Sequence, residues 1–187
     1  MNDWNACAVR YRASDVANSS HRSPNEAARG WLEIGAALRR SSATVTMDFP
    51  PEKVVLDTSA LLAVLFGERE RDRFIALLAD AEDPVISAAT LLEASIVMQA
   101  KTGADGVADL DDLLAAAAVR CVAFDSTQAQ LARDAFARYG KGHAKAGLKF
   151  GDCFSYALAR ATDRPLLFKG ADFSQTDVEP AAGHQRQ

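Results

Sequence analysis

Four short apolar runs punctuate the chain from Val54 onward: "VVLD" at 54–57, "PVIS" at 84–87, "RCVAF" at 120–124 and "PLLF" at 165–168. Each is too short for a helix. Between them lie segments of helical periodicity at 61–66, 70–79, 89–101, 107–117, 127–139 and 152–161. Strands buried on both faces read as continuous apolar runs, and parallel strands need crossover helices to join them. The order therefore predicts an α/β protein with three α/β/α layers around a short parallel sheet of about four strands. Neither an internal repeat nor a low-complexity tract interrupts this order.

The first 46 residues have a different character. They are rich in Ser, Asn, Ala and Arg, and they carry six arginines against four acids, whereas the whole chain has a net charge of −4. Only "PNEAARGWLEIGAALRR" at 24–40 has amphipathic periodicity, with Ala28, Trp31, Ile34 and Leu38 on one face. The expectation is a poorly ordered extension with one helix at 1–46, followed by a folded domain at 47–187. Met47 also resembles a natural start, so a start-site error, a regulatory arm and a remnant of a neighbouring gene all stand as accounts of the extension.

Charge and cysteine content exclude some classes. A net charge of −4 does not suit a protein that coats nucleic acid by global attraction, although a local basic patch is compatible with it. Cys7, Cys121 and Cys153 are an odd number without a CxxC pair, which supports neither a disulfide framework nor a zinc site. No apolar run approaches the roughly 20 residues that span a bilayer, and the opening "MNDWNACAVRYR" lacks the apolar centre of a secretory signal. The expected location is the cytoplasm, with no membrane partner.

Four acids stand where chemistry is expected. Sites in open parallel sheets form beyond the carboxyl ends of the strands, and Asp57 follows "VVL" directly. Alone, it or Ser59 reads as an N-cap for the helix that follows, although Thr58 or Ser59 is able to take that task and free Asp57 to act as a ligand. Glu93 lies inside the apolar helix "ATLLEASIVMQA", where an ionised carboxylate needs a cation or hydrogen bonds unless it faces solvent. Asp152 opens the helix "GDCFSYALARA", again a position that suits a cap. Asp172 follows the last strand in "PLLFKGADFSQTD" and reads as a turn residue; Lys169, Thr176 and Asp177 close by are candidates for supporting contacts. Lys141, His143, Lys145 and Lys149 form a cationic loop before Asp152, suited to phosphate contacts or simply to solvent. No Ser/His/Asp or Cys/His signature accompanies His143, so it is not assigned as a general base.

Taken together, a strand end, a helix, a helix start and a second strand end are able to converge on one rim. Several carboxylates in one place require a cation, and hard oxygen donors select Mg²⁺, with Mn²⁺ as a substitute, over zinc. Such an ion suits phosphodiester hydrolysis by activated water.

The stretches "VVLDTSALLAVLFGE", "ISAATLLEASIVM", "AGLKFGDCFSYALAR" and "PLLFKGADFSQTD" resemble, in order and spacing, PIN-domain ribonucleases and the VapC toxins of type II toxin-antitoxin pairs. The resemblance runs from about Met47 to Asp177. It implies a PIN fold and a Mg²⁺-dependent endoribonuclease, usually dimeric, held in check by a cognate antitoxin. It places catalytic metal-binding acids at Asp57, Glu93, Asp152 and Asp172, with supporting hydroxyls at Thr58 and Ser59. Transfer RNA is the substrate that such toxins suggest. The extension at 1–46 departs from the family pattern. Two other functions compete: a catalytically silent module that binds RNA or a partner, and a metal-dependent DNA nuclease of related fold.

Overall fold

The computed structural model describes residues 9–10, 53–142 and 145–181. Strand β1 is Val9–Arg10 and β2 is Val55–Leu56, followed by α1, Thr58–Leu65, and α2, Arg71–Asp80. Then come β3, Val85–Ser87; α3, Ala88–Ala116; β4, Arg120–Val122; α4, Ser126–Tyr139; α5, Asp152–Thr162; β5, Leu166–Leu167; and a 3₁₀ turn at Phe173–Gln175. The sheet order is β1-β4-β3-β2-β5. The last four in that order are the expected strands, and they run parallel: Val55 pairs with both Val85 and Leu166, and Ile86 pairs with Cys121. An edge strand was not expected in the extension, yet Val9–Arg10 joins β4 antiparallel. The expected helix at 24–40 and the boundary between residues 46 and 47 lie outside the described residues, as does His143.

Strand side chains alternate between faces with a period of two. Leu56 and Ile86 enter one core with Leu61, Val64, Phe74, Met98, Leu110 and Leu114 from α1, α2 and α3. Val55, Val85 and Leu166 enter the other with Ala135, Tyr156 and Leu158 from α4 and α5. Both faces are therefore covered, which accounts for the unbroken apolar runs. Gly103 interrupts α3 at φ 72° and ψ −160°, a conformation that glycine adopts without steric cost. That break separates the two helical segments expected at 89–101 and 107–117.

A charged clamp ties the amino ends of three strands. Asp83, just before β3, accepts two hydrogen bonds from Arg120 at 3.0 and 2.8 Å and one from Arg164 at 2.9 Å. Arg164 also donates to the Asp83 carbonyl at 2.8 Å. The two guanidinium groups outweigh burial and hold the Asp83 carboxyl at about 2. With this end stapled, the opposite rim carries the acids.

Candidate active site

Strand β2 is flanked by β3 on one side and β5 on the other, so the chain leaves it at a switch point where parallel sheets open a crevice. Asp57 stands there, 2 % exposed. Its Oδ2 accepts the Ser59 backbone N–H at 2.9 Å and the Ser59 hydroxyl, so Asp57 itself is the N-cap of α1. Thr58 and Ser59, expected to free Asp57 from that task, do not cap. Ser59 instead links the start of α1 to the loop after β5, since its Oγ also accepts the Lys169 backbone N–H at 2.9 Å. Oδ1 of Asp57 is buried without a hydrogen-bond partner. One carboxylate thus divides its work: one oxygen closes the helix and the other faces inward uncommitted.

Glu93 is half-buried on α3, whereas Leu92 and Ile96, at 61 % and 60 % exposure, and Gln99 are exposed. Glu93 is thus less open to solvent than Gln99, with which it was expected to share a face. Thr58 donates its hydroxyl to Glu93 Oε2 at 2.7 Å, so this hydroxyl orients the second acid rather than the first. Burial raises the Glu93 carboxyl above its usual value, opposed by the Thr58 hydrogen bond and reinforced by the charge of Asp57.

Asp152 lies in the first turn of α5, one position past its N-cap Gly151. Its Oδ2 accepts the Lys149 backbone N–H at 2.7 Å. Burial pushes its carboxyl up to about 6 despite that bond, and the charges of Asp57 and Asp172 add to the rise. A buried contact between the Thr90 and Ser155 hydroxyls, 3.1 Å apart, ties α3 to α5 and so fixes Glu93 relative to Asp152. Asp172 is exposed on the loop after β5 and begins the 3₁₀ turn. The four expected acids are therefore linked electrostatically as Asp57 with Glu93, Asp57 with Asp152, and Asp152 with Asp172.

Among the described residues no three His, Cys, Asp or Glu side chains form a ready-made metal cage. The donor set nonetheless fits a hard divalent ion. Asp57 Oδ1 is a buried acceptor without a donor, and burial, with the charge of Asp57 added, raises the proton affinity of Glu93 and Asp152, a combination that a cation would relieve. An ion that keeps several of its own waters needs no closed protein cage.

The expected supporting residues separate. Lys149 is exposed, and its charge acts on both Glu93 and Asp152. Lys141 and Lys145 are exposed in the loop before it, without a described contact to the acids. Lys169 turns its ammonium to Glu68, and Asp177 lies against α5, accepting from Tyr156 at 2.6 Å and Arg138 at 3.2 Å. Thr176 donates to the Phe173 carbonyl at 2.7 Å. Thus Asp177 and Thr176 serve local structure, and only the backbone of Lys169 reaches the Asp57–Ser59 pair.

Gly151 was not singled out in the sequence. A Cβ placed on it would lie 1.9 Å from Glu93 Oε1, so the absent side chain is what admits the carboxylate. Phe150, at 78 % exposure the most open large apolar side chain among the described residues, carries no signal in local pattern either. Both stand beside Asp152 in "KFGD", but closeness to Glu93 is a contact across 58 positions that no local pattern encodes.

The model of the PIN domain matches residues 54–179. VapC ribonuclease Mb0640 of Mycobacterium bovis is 46 % identical over 129 residues, 69 % of this chain and 98 % of that protein. The chain belongs to the VapC family of PIN-domain proteins. Ribonuclease VapC of Mycolicibacterium smegmatis is 47 % identical over 125 residues, 67 % of this chain and 97 % of its own length. The VapC fold is shared with the crystal structure of Mycobacterium tuberculosis VapC20, described as a sarcin-ricin loop cleaving toxin, at a TM-score of 0.57 and 17 % identity over 67 % of this chain and 96 % of that one. No described helix is long and apolar enough to cross a membrane.

Proposed function

We propose that this VapC-family chain is the toxic component of a type II toxin-antitoxin pair, a metal-dependent endoribonuclease that hydrolyses RNA phosphodiester bonds and leaves a 5′-phosphate. The observation that carries the reading is Asp57 Oδ1, buried and without a donor beside two carboxylates whose proton affinity is raised. Nearly full-length relatives named as ribonucleases support the substrate class. The nuclease is assigned to residues 47–187 and acts in the cytoplasm.

Asp57 and Asp152 would hold Mg²⁺, or Mn²⁺ in its place, with Glu93 and Asp172 completing the site directly or through water. When bound, the ion supplies Lewis acidity: it lowers the pKa of a water and offsets charge on the leaving oxygen. The remaining work belongs to the chain. Ser59 fixes Asp57 through Oδ2, Thr58 fixes Glu93 through Oε2, and the Lys149 amide fixes Asp152, so that three acids keep their orientation before substrate arrives. Lys149, with Lys141 and Lys145 behind it, supplies positive charge for the RNA backbone.

Purified protein with Mg²⁺ should cut total cellular RNA, and Asp57→Asn should not. A wild-type chain that leaves RNA intact while cutting matched DNA would overturn the reading. The partners that follow are a cognate antitoxin and a second copy of the chain, the latter supported by the exposed aliphatic pair Leu92 and Ile96. Light scattering of the purified chain should give twice the monomer mass.

A further inference from the structure

Phe150 borders the acids on both sides in the chain. Its predecessor, Lys149, is exposed and acts electrostatically on Glu93 and Asp152. Its successor, Gly151, abuts the Glu93 carboxylate, and consecutive Cα atoms are about 3.8 Å apart. The Phe150 ring is therefore anchored within roughly one residue step of the catalytic carboxylates.

The ring is open to solvent yet not loose. At 78 % exposure it meets Phe154 edge to face, with centroids 4.7 Å apart and planes at 80°. Phe154 in turn meets Phe124 at 5.0 Å and 79°. Such perpendicular pairs are the preferred aromatic geometry, so the column holds Phe150 in place. Phe124 follows β4, which sets the column on the same carboxyl rim of the sheet as Asp57. An exposed Phe forfeits the gain of burial, and a planar face beside a cation and a carboxylate cluster matches one substrate element better than a protein surface. Unpaired RNA bases stack on aromatic side chains while their phosphates meet Lys or Arg.

We propose that Phe150 is a stacking platform for an unpaired RNA base adjacent to the scissile phosphate, with Lys149 engaging the neighbouring phosphate, so that the enzyme selects single-stranded or looped RNA over duplex. This assignment rests on the ribonuclease reading above. It adds a base-binding subsite that needs no particular base, because every base presents a π face.

The test uses the full chain in EDTA, where the metal-dependent cleavage is off, and three fluorescein-labelled probes: a single-stranded adenosine 10-mer, the same strand fully paired, and a 10-mer of abasic ribose units. Wild type should bind the single strand in preference to both others. Phe150→Ala should weaken single-strand binding by roughly tenfold or more, the order measured for one stacked base, and leave abasic binding unchanged. Phe150→Trp should restore affinity and show fluorescence quenching on binding beyond that of wild type. Cleavage of total cellular RNA by wild type with Mg²⁺ is measured alongside. If wild type cuts RNA but Phe150→Ala binds all three probes as wild type does, the platform is wrong and the ribonuclease reading stands. If wild type cuts nothing, both fall. If Phe150→Ala keeps its RNA affinity but changes the mass of the particle or loses a protein partner, the ring belongs to a protein interface, and the proposal is overturned.

Discussion

Gly151 and Glu93 are in contact across two helices so closely that a methyl group on Gly151 would overlap the Glu93 carboxylate at 1.9 Å. Gly151 has an ordinary helical φ of −63°, so it is there for space rather than for conformation. The atoms it would strike are the far end of a flexible side chain. Gly151→Ala should therefore fold with a loss of about 1 kcal/mol or less, yet swing Glu93 out of the site. Activity and Mn²⁺ affinity should fall together, and adding Glu93→Ala should cost little more in either. Full additivity of the two substitutions, measured by Mn²⁺ titration, would refute the coupling.

The divided role of Asp57 separates two substitutions. Asp57→Asn keeps an acceptor for Ser59 N–H but removes the charge, so it should melt within a few degrees of wild type while losing Mn²⁺-dependent stabilisation. Asp57→Ala loses the cap as well and should be less stable than Asp57→Asn by about 1 kcal/mol. Chemical denaturation of both, with and without Mn²⁺, checks this; equal stability of the two in EDTA would show that the cap contributes nothing.

Asp152 makes the metal-free protein sensitive to pH. Its folded carboxyl titrates at about 6, above the ordinary 3.8, so the native state holds more protons than the unfolded state between those values. The stability this gives is complete below about pH 4 and is lost as pH rises to 6. In EDTA, Asp152→Asn should melt above wild type at pH 7, with the difference vanishing near pH 4. A difference independent of pH would show that the gain does not come from the buried charge.

Metal binding should report the same protons. Ions bind the deprotonated carboxylates, so Mn²⁺ affinity should drop by roughly tenfold for each pH unit below 6, and more steeply where Glu93 is also protonated. At pH 7.5 a hundredfold excess over Kd should stabilise the chain by about 2.7 kcal/mol, read as a rise in Tm. A Tm that Mn²⁺ leaves unchanged at every pH would argue against the metal site.

The clamp at the other end predicts an effect on stability alone. Asp83→Ala leaves Arg120 and Arg164 half-buried without their carboxylate and should cost roughly 3 kcal/mol, with cleavage at low temperature retained. Because Asp83 is held at about 2, its contribution is present above the unfolded value near 4 and is lost as pH falls toward 2. Loss of RNA cleavage in a variant shown to be folded would contradict this division between the two ends.

Much of the architecture was legible because it is written in local pattern. The runs at 54–57, 84–87 and 165–168 are apolar without alternation because their strands are buried on both faces, whereas β4 within 120–124 is only partly buried, and Gly103 marks a helix break because of its own backbone freedom. Asp57, Glu93, Asp152 and Asp172 stood out by position relative to those elements. What each oxygen does was not legible. The Asp57 cap is local, two residues from Ser59, but that its other oxygen is buried unbonded, that Thr58 reaches Glu93 rather than Asp57, and that Asp177 turns away to Tyr156 depend on segments distant in sequence. Periodicity reports which face of an element is buried, whereas partners are chosen only when strands pair and helices pack. The sequence by itself determined the layered α/β order and the roster of acids; the tertiary structure decided which groups hold those acids, why Gly151 must be small, and where the Phe150 ring is left open beside them.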